Sequence, residues 1–492
     1  MPIIAPSMQK DVYKEFHVYA YHPEVSEVYS NFTARSGKLS NVPDSKGIIF
    51  VGLQAFMIDY LIEEWNTGFF NLPLETAVSL HKKVLSHILG YEVSVQYLID
   101  LHNLGYLPLE IKALPEGSLV PYQVPCLTVR NTIKNFEWLP NMIETVLSCE
   151  NWHIQTTATT AAEYFKRFKK AFEETGGPME LLPFMAHDFS MRGLPGRHAA
   201  AASGFGFISS GFAGTDTIPA VLYAMKYYGA DLDNELVGAS VNATEHSVTC
   251  SWIQEGEEAF VDYLMNGPAK EGILSVVADT WDFWSFVTDM LPRIKNKILQ
   301  RNGKLVVRPD SGDPVDVICG TCKEFGKGTT PEEKGLVECL WDIFGGTITN
   351  KNYKLLDEHI GAIYGDSITL ARQEQIFNRL MAKGFVPAVV LGVGSYSFQF
   401  VTRDTHGSAM KATNVLKDGK DVAIFKDPKT DSKKKSLKGF VRVELEENGY
   451  TAYDEQTREQ ELLGHLTTVF LDGRIVKTTT LKDIRAQVAQ YY

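Results

Sequence analysis

No stretch of this 492-residue sequence approaches the roughly 18 consecutive apolar residues that would suggest a membrane-spanning helix. The start, MPIIAPSMQKDVYKEF, is broken by Pro6, Lys10 and Asp11 and lacks the continuous apolar core of a secretory signal. Cysteine is scarce. Six in so long a chain do not make a disulfide framework, so a reducing, cytoplasmic compartment is expected. Cys319 and Cys322 form one CxxC, but no second pair follows, which leaves a zinc or redox role weak beside an ordinary helical pair. Basic excess is missing too. A net charge of −12 disfavours a broad nucleic-acid surface, which needs a basic face to displace counterions. Any phosphate bound must then sit in a local pocket.

What is present is the mix of an ordinary globular protein, 44% hydrophobic and 22% charged, at a length that exceeds one hydrophobic core. Two or more domains are expected. In the second half, seven apolar runs each end on polar residues or glycine: FMAHDFSMRG (Asp188), FAGTDT (Asp216), VNATEHS (His246), ILSVVADTWD (Asp279), LVVRPDSGDP (Asp310), IYGDS (Asp366) and VVLGVGSYS (Gly394). The separations are 28, 30, 33, 31, 56 and 28 residues. A strand with its returning helix takes about 30 residues, so one long insertion explains the odd interval. Parallel strands are covered on both faces, and only their C-terminal mouths can carry chemistry. The fold class expected is therefore α/β, an irregular (β/α) barrel, and the chain is read as a barrel enzyme.

Between the clusters the spacing is helical. Ile368, Ala371, Ile376, Leu380 and Met381 fall close to one face of a helix that Ser367 or Asp366 could cap, and Gly303 should stop the helix that follows Asp279. The ends differ. Residues 107–130 alternate and are punctuated by Pro and Gly; past 420 come VAIFKDP, GFVRVELEENGYTAYDE and LTTVFLDGRIVKTTT, with Asn448-Gly449 and Asp472-Gly473 as hairpin turns. The expected organisation is an N-terminal segment (1–150) and a C-terminal segment (405–492) combining in a strand-rich α+β domain beside a barrel at 151–404. The basic run 432–439 reads as a solvated loop.

Three features suggest a phosphorylated sugar as substrate. GVGSYS joins Gly394 to the Ser395 and Ser397 hydroxyls at a late strand end, where barrels often bind phosphate. Arg192 and Arg403 lie beside such ends, and an arginine fork suits phosphate oxygens. RPDSGDP packs Arg308, Asp310, Ser311 and Asp313 into one strand end, a salt-bridged turn or a ribose-and-phosphate grip, while Asp279, Asp282 and Asp366 could hold sugar hydroxyls or position magnesium through water. His246, beside Glu245, could be an acid/base or a nucleophile with the carboxylate orienting the ring; His187 is ambiguous in the same way. The glycine-rich stretch 204–211 follows alanines rather than a strand, so tight helix packing is expected rather than a dinucleotide loop.

Read together and in order, DVYK (11–14), HDFSMRG (187–193), GTDT (214–217), TEHS (244–247), SVVADTWD (275–282), RPDSGDP (308–314), YGDS (364–367), TRD (402–404) and FKDP (425–428) resemble the motifs of the nicotinamide phosphoribosyltransferases, type II phosphoribosyltransferases with nicotinate phosphoribosyltransferases as near relatives. The resemblance implies a homodimer with active sites completed across its interface, and as ligands nicotinamide, phosphoribosyl pyrophosphate, Mg2+ and ATP. It implies that nicotinamide lies between Phe189 and Tyr13 of the other subunit, with Asp11 nearby, that Asp216 accepts from the amide, and that Arg192 contacts the nucleotide phosphate. Arg308 with Asp310 would hold the ribose. Asp279, Ser275, Gly365, Asp366, Gly394 and Ser395 would complete the sugar and magnesium environment, magnesium being bound through pyrophosphate. Arg35, Arg403 and Lys411 would contact phosphates, and His246 with Glu245 would match the histidine phosphorylated by ATP. Ser367, Ala409 and Ala278 depart from the residues common in the family.

Other readings are a nicotinate phosphoribosyltransferase, against which Asp216 argues, and a non-catalytic dimeric binding or signalling protein on the same fold. A Schiff-base aldolase or isomerase lacks a lysine in the seven clusters.

Overall fold

The computed structural model describes residues 5–426 and 436–492. Asp427 and Pro428 of the FKDP motif and residues 432–435 of the basic run lie outside the described residues. The chain forms two compact units: Met1–Thr159 with Tyr223–Ala230 and Val401–Gln490, and Thr160–Leu222 with Asp231–Phe400 and Tyr491–Tyr492. Among the described residues no helix is long and apolar enough to cross a membrane.

The second unit is built on seven parallel strands, Ala186–Asp188, Gly214–Thr215, Asn242–Ala243, Gly272–Val277, Gly303–Arg308, Ile360–Tyr364 and Val390–Val393. Sheet neighbours follow the sequence, and the last strand returns to the first with Leu391 opposite Ala186. The remaining seam, between the second and third strands, is joined by one parallel bridge, Gly214 to Ala239. The sheet is thus curled into an irregular (β/α) barrel, with returning helices such as Arg197–Ser209, Glu257–Asn266 and Leu370–Ala382 between strands. The 56-residue interval is filled by helices Pro314–Cys319, Pro331–Lys334 and Leu336–Phe344 and by the hairpin Gly346–Ile348/Lys354–Leu356.

Several local expectations are corrected. The cap before helix Leu370–Ala382 is Thr369, whose side chain accepts from Arg372 N–H, and neither Ser367 nor Asp366 takes that place. Ala371 is exposed and Met381 half-buried; Leu370, Ile376, Phe377 and Leu380 form the buried stripe. Gly303 does not stop the preceding helix, which ends at Gln300. It opens the next strand, where a Cβ would lie 1.9 Å from Gly272 O, so the glycine allows the two strands to meet. Cys319 ends its helix and Cys322 lies in the turn beyond, so they are not a helical pair. Burial pushes the Cys319 thiol up to about 12, which removes thiolate reactivity at neutral pH.

The first unit carries a seven-stranded antiparallel sheet in the order Lys420–Ala423, Ala409–Lys417, Val25–Thr33, Pro125–Asn131, Leu109–Ala113, Thr467–Leu471, Arg474–Ile475. N- and C-terminal segments therefore interleave, and Asn31 Nδ2 donates to Thr413 Oγ1 (3.2 Å) across 382 residues of sequence. Leu119–Pro121 leaves this sheet and pairs with Gly47–Ile49. Asp472 (φ 47°) and Gly473 (φ 76°) both adopt the left-handed conformation that a two-residue hairpin turn requires. The other hairpin turns one residue earlier than expected, on Glu447 and Asn448, and Gly449 (φ 108°) takes the left-handed position after the turn. Phe32, Phe50, Trp65, Phe69, Leu109 and Leu127 are fully buried in the core against this sheet.

Glu116 sits inside that unit at the start of helix Leu53–Phe56. Its carboxylate accepts from Gly52 N–H (2.6 Å), Gln54 N–H (2.7 Å) and the Tyr228 hydroxyl (2.9 Å). Burial outweighs these donors and pushes the carboxyl from 4.5 up to about 7. A raised carboxyl contributes stability that is fully present below its unfolded value and lost as pH rises through the folded one. Thermal melts should therefore show stability falling between pH 4.5 and about 7, by on the order of 3 kcal/mol from this group. Glu116→Gln should flatten that slope; equal slopes in parent and variant would refute the assignment.

Candidate active site

Each barrel strand ends at or just before residues that the sequence singled out. Asp188 closes the first strand and is fully buried, with Oδ1 accepting from Ser190 N–H (2.9 Å) and Ser190 Oγ (2.6 Å) and Oδ2 from Thr215 Oγ1 (3.3 Å). It is a structural staple between neighbouring strand ends. Phe189 follows, its N–H bonded to Val393 O (2.9 Å). A Cβ on Gly392 would lie 2.4 Å from the Phe189 ring, so this mid-strand glycine lets the ring lie against backbone. The His187 ring is 4.8 Å from the Phe189 ring, centroid to centroid, and the Arg308 guanidinium is 5.5 Å from that ring's centroid.

Asp216, just past the second strand, is fixed by two donors on one oxygen: His187 Nε2 (2.9 Å) and Ser240 Oγ (2.6 Å) both reach Oδ1. Burial alone would raise this carboxyl, but the bonds from His187 and Ser240 and the charge of Arg308 outweigh it and hold Asp216 below the usual carboxylate range. Its side chain is half exposed, so the second oxygen is available to a ligand. The sequence singled out Asp216 and gave His187 a weaker case. Ser240 carried no signal, because it precedes its strand instead of ending one.

The fourth to sixth strands converge on a second cluster. The Asp279 side chain is 6% exposed; Oδ2 accepts from Asp310 N–H (3.0 Å) and Ser311 Oγ (2.5 Å), while Oδ1 has no hydrogen-bond partner among the described residues. Arg308 donates from Nη2 to Asp310 Oδ2 (3.2 Å), and its buried Nε has no hydrogen-bond partner among the described residues. A Cβ on Gly365 would meet Asp310 Oδ1 at 3.1 Å, Arg308 Nε at 3.4 Å and Phe189 Cε2 at 3.5 Å. Glycine there leaves open the point where carboxylate, guanidinium and ring converge.

His246 opens the short helix His246–Cys250 and is half exposed. Glu245 does not orient it. The Glu245 carboxylate accepts from Ser247 Oγ, whereas the imidazole meets Thr280 Oγ1 through Nδ1 (3.1 Å) and stands with Nε2 3.9 Å from Asp279 Oδ1. One carboxyl escaped sequence reading. Glu257, at the start of helix Glu257–Asn266, buries Oε1 without a hydrogen-bond partner among the described residues and is pushed up to about 7 by burial, then by Asp279 and Asp282.

The remaining residues fall in three groups. Arg192 and Asp366 are exposed at their strand ends, and Ser395 is half-buried at the start of the turn Ser395–Phe398 behind Gly394. A Cβ on Gly193 would run into Ser395 Oγ at 1.9 Å, so the MRG turn sits directly on that hydroxyl. Ser275 is buried within its strand rather than beyond it, and Ser397 is committed to Tyr164 (2.8 Å) and Ile368 O (3.0 Å), which removes it from phosphate binding. Ser367 adopts φ 51°, a left-handed conformation that glycine takes without strain; Ala278 is fully buried.

Tyr13, Asp11, Arg35, Arg403 and Lys411 belong to the first unit. Tyr13 is 62% exposed, and Asp11 accepts from Thr145 Oγ1 (3.0 Å). Arg35 Nε donates to Gly407 O (2.8 Å), tying it to the loop that carries Arg403. Burial holds the Lys411 amine below its usual range; Glu144 opposes this, and Arg35, Lys426 and Arg403 add to it. Cations crowded in this way favour an anionic ligand. Among the described residues no group of three or more His, Cys, Asp or Glu side chains is disposed to hold a metal ion.

The model of the nicotinate phosphoribosyltransferase (NAPRTase) family matches residues 184–474. A nicotinamide phosphoribosyltransferase of Acinetobacter baylyi is 46% identical, covering 99% of this chain and 97% of its own length. Another, from Mycoplasma pneumoniae, is 32% identical over 87% and 93%. The nicotinate-nucleotide pyrophosphorylase structure from Pyrococcus furiosus is similar with a TM-score of 0.55, at 14% identity over 99% of this chain and 95% of that one. Human nicotinic acid phosphoribosyltransferase gives 0.53, at 14% over 98% and 93%. At such identity the two structures speak for the fold alone.

Proposed function

We propose, from the premise that this chain belongs to the nicotinate phosphoribosyltransferase family and is a pentosyltransferase, that it joins nicotinamide to phosphoribosyl pyrophosphate, giving nicotinamide mononucleotide and pyrophosphate for cytoplasmic NAD salvage. The observation that carries this reading is the Asp216 carboxylate, held ionised by His187, Ser240 and Arg308 near Phe189. An acceptor there suits a carboxamide N–H and repels a carboxylate. The nicotinamide ring nitrogen has a free lone pair, so its bond to C1 forms without a general base while the C1–O bond to pyrophosphate breaks. That step passes through an oxocarbenium-like state, which Asp310 and Asp279 suit electrostatically. Phe189, and Tyr13 from the second subunit of a homodimer, would orient the ring by stacking. Arg192, Arg35, Arg403 and Lys411 would hold phosphates, with Asp366, Gly365, Gly394, Ser395 and Ser275 around the sugar.

Magnesium would neutralise the departing pyrophosphate. The residues fit a cation held chiefly by that ligand, with the unpartnered Asp279 Oδ1 as the protein's contribution through water. ATP would phosphorylate His246: an N–P bond forms at the imidazole and the P–O bond to ADP breaks. The exposed ring beside Asp279 supports this, and the phosphohistidine would tighten substrate binding and favour product.

The test is product formation from phosphoribosyl pyrophosphate and magnesium with nicotinamide or nicotinic acid, each with and without ATP. Mononucleotide from nicotinamide supports the reading; preference for nicotinic acid would make this a nicotinate phosphoribosyltransferase, and no product from either would favour a non-catalytic binding protein. His246→Ala should keep basal turnover and lose the ATP stimulation. A variant still fully stimulated by ATP would remove His246 from the coupling.

A further inference from the structure

Around Tyr13 the usual burial of residue types is inverted. The side chains of Lys10, Lys14 and Glu15 are only 3–4% exposed, while Val12 and Tyr13 are 36% and 62% exposed. Burying three charged side chains costs desolvation that only close pairing offsets, so the way they are paired is informative.

The buried charges close the segment like a buckle. Lys10 and Glu15 flank the apex at Asp11–Tyr13 in sequence and pair across its base, Nζ to Oε2, at 2.9 Å. Glu15 also accepts from Tyr97 Oη (2.7 Å) and meets His81 Nε2 at 3.3 Å, and His81 Nδ1 meets Ser7 Oγ at 3.0 Å. Lys10 Nζ reaches Tyr97 Oη as well (3.3 Å). His81 and Tyr97 belong to helices Leu74–Leu89 and Gln96–Leu104. A third helix, Leu139–Thr175, takes Lys14 through Asn141 O (2.6 Å) and Glu144 (2.7 Å) and bonds Asp11 through Thr145 (3.0 Å). An apolar staple would hold this segment with less desolvation, but it would not fix one geometry as a fully bonded ion pair does.

We infer that Glu15, held by Lys10, His81 and Tyr97, is a positioning residue that sets the angle at which Tyr13 enters the nicotinamide site of a second copy of the chain. This rests on the reading that Tyr13 completes that site. The network acts on nicotinamide through Tyr13 alone, so its loss should raise one KM and spare the other.

The test is steady-state kinetics on Glu15→Gln, Tyr97→Phe, Tyr13→Ala and the Tyr13→Ala/Glu15→Gln double variant. Glu15→Gln should raise the nicotinamide KM by about tenfold and leave the phosphoribosyl pyrophosphate KM within about twofold. Tyr97→Phe, which removes one hydroxyl, should raise it by about threefold and reads the same coupling should Glu15→Gln fold poorly. In the Tyr13→Ala background the Glu15 change should add nothing. An unchanged nicotinamide KM in both Glu15→Gln and Tyr97→Phe, or an equal increase with and without Tyr13, overturns the inference while the reading of Tyr13 survives. A Tyr13→Ala variant with the parent nicotinamide KM overturns that reading, and this inference with it.

Discussion

Arg308→Ala should lower kcat/KM for phosphoribosyl pyrophosphate by about 10²–10³-fold, the cost of removing one preorganised donor from a reacting centre. Three observations set that size. The buried Nε has no hydrogen-bond partner among the described residues, so a donor stands ready beside Asp310. Nη2 holds Asp310 at 3.2 Å, and truncation would leave that carboxylate unpaired beside Asp279. The guanidinium also lies over the Phe189 ring, 5.5 Å from its centroid, so its loss frees that ring. Arg308→Lys should recover only part of the rate, because a point charge cannot reproduce the planar fork. A kcat/KM within about threefold of the parent would take Arg308 out of the centre.

Asp216→Asn should cut the preference for nicotinamide over nicotinic acid by about 10³-fold or more. A like charge facing a ligand carboxylate costs several kcal/mol, and a hydrogen bond to a charged group contributes about 1.5–3 kcal/mol; the substitution removes both terms. Asparagine keeps an oxygen for His187 and Ser240, so the geometry at 2.9 and 2.6 Å should persist while the charge disappears. The readout is the ratio of kcat/KM for the two bases. An unchanged ratio would move discrimination to another residue, His187 being the nearest.

Barrel order was legible because a strand and its helix consume a fixed length of chain, and polar strand ends stand out against apolar runs. The same logic located Asp216, His246, Asp279, Arg308 and Asp310, which the fold brings to one end of the barrel sheet. Ser240, Thr280 and Gly392 were not legible as site residues. Ser240 and Thr280 earn their places only through contacts made from neighbouring strands, and Gly392 through a ring that lies against it. Glu257 was invisible for another reason: its character comes from burial near Asp279 and Asp282, which no local pattern encodes. Glu245 misled because adjacency in sequence suggested a partner for His246, whereas a chain leaving a strand turns successive side chains apart. In the other unit, strand propensity was readable but pairing was not, as Leu119–Pro121 shows by joining Gly47–Ile49.

The interleaving of that sheet also has a consequence in time. Strand Val25–Thr33 finds Pro125–Asn131 early in synthesis, but its other edge waits for Ala409–Lys417, with Asn31 and Thr413 separated by 382 residues. At ~5–20 residues per second the ribosome needs roughly 20–80 seconds to supply the missing strand. Throughout that interval a row of backbone donors and acceptors stands open to any other extended chain. The half-made protein therefore depends on whatever shields nascent edges in its cell, a demand that disappears once residue 417 has emerged and docked.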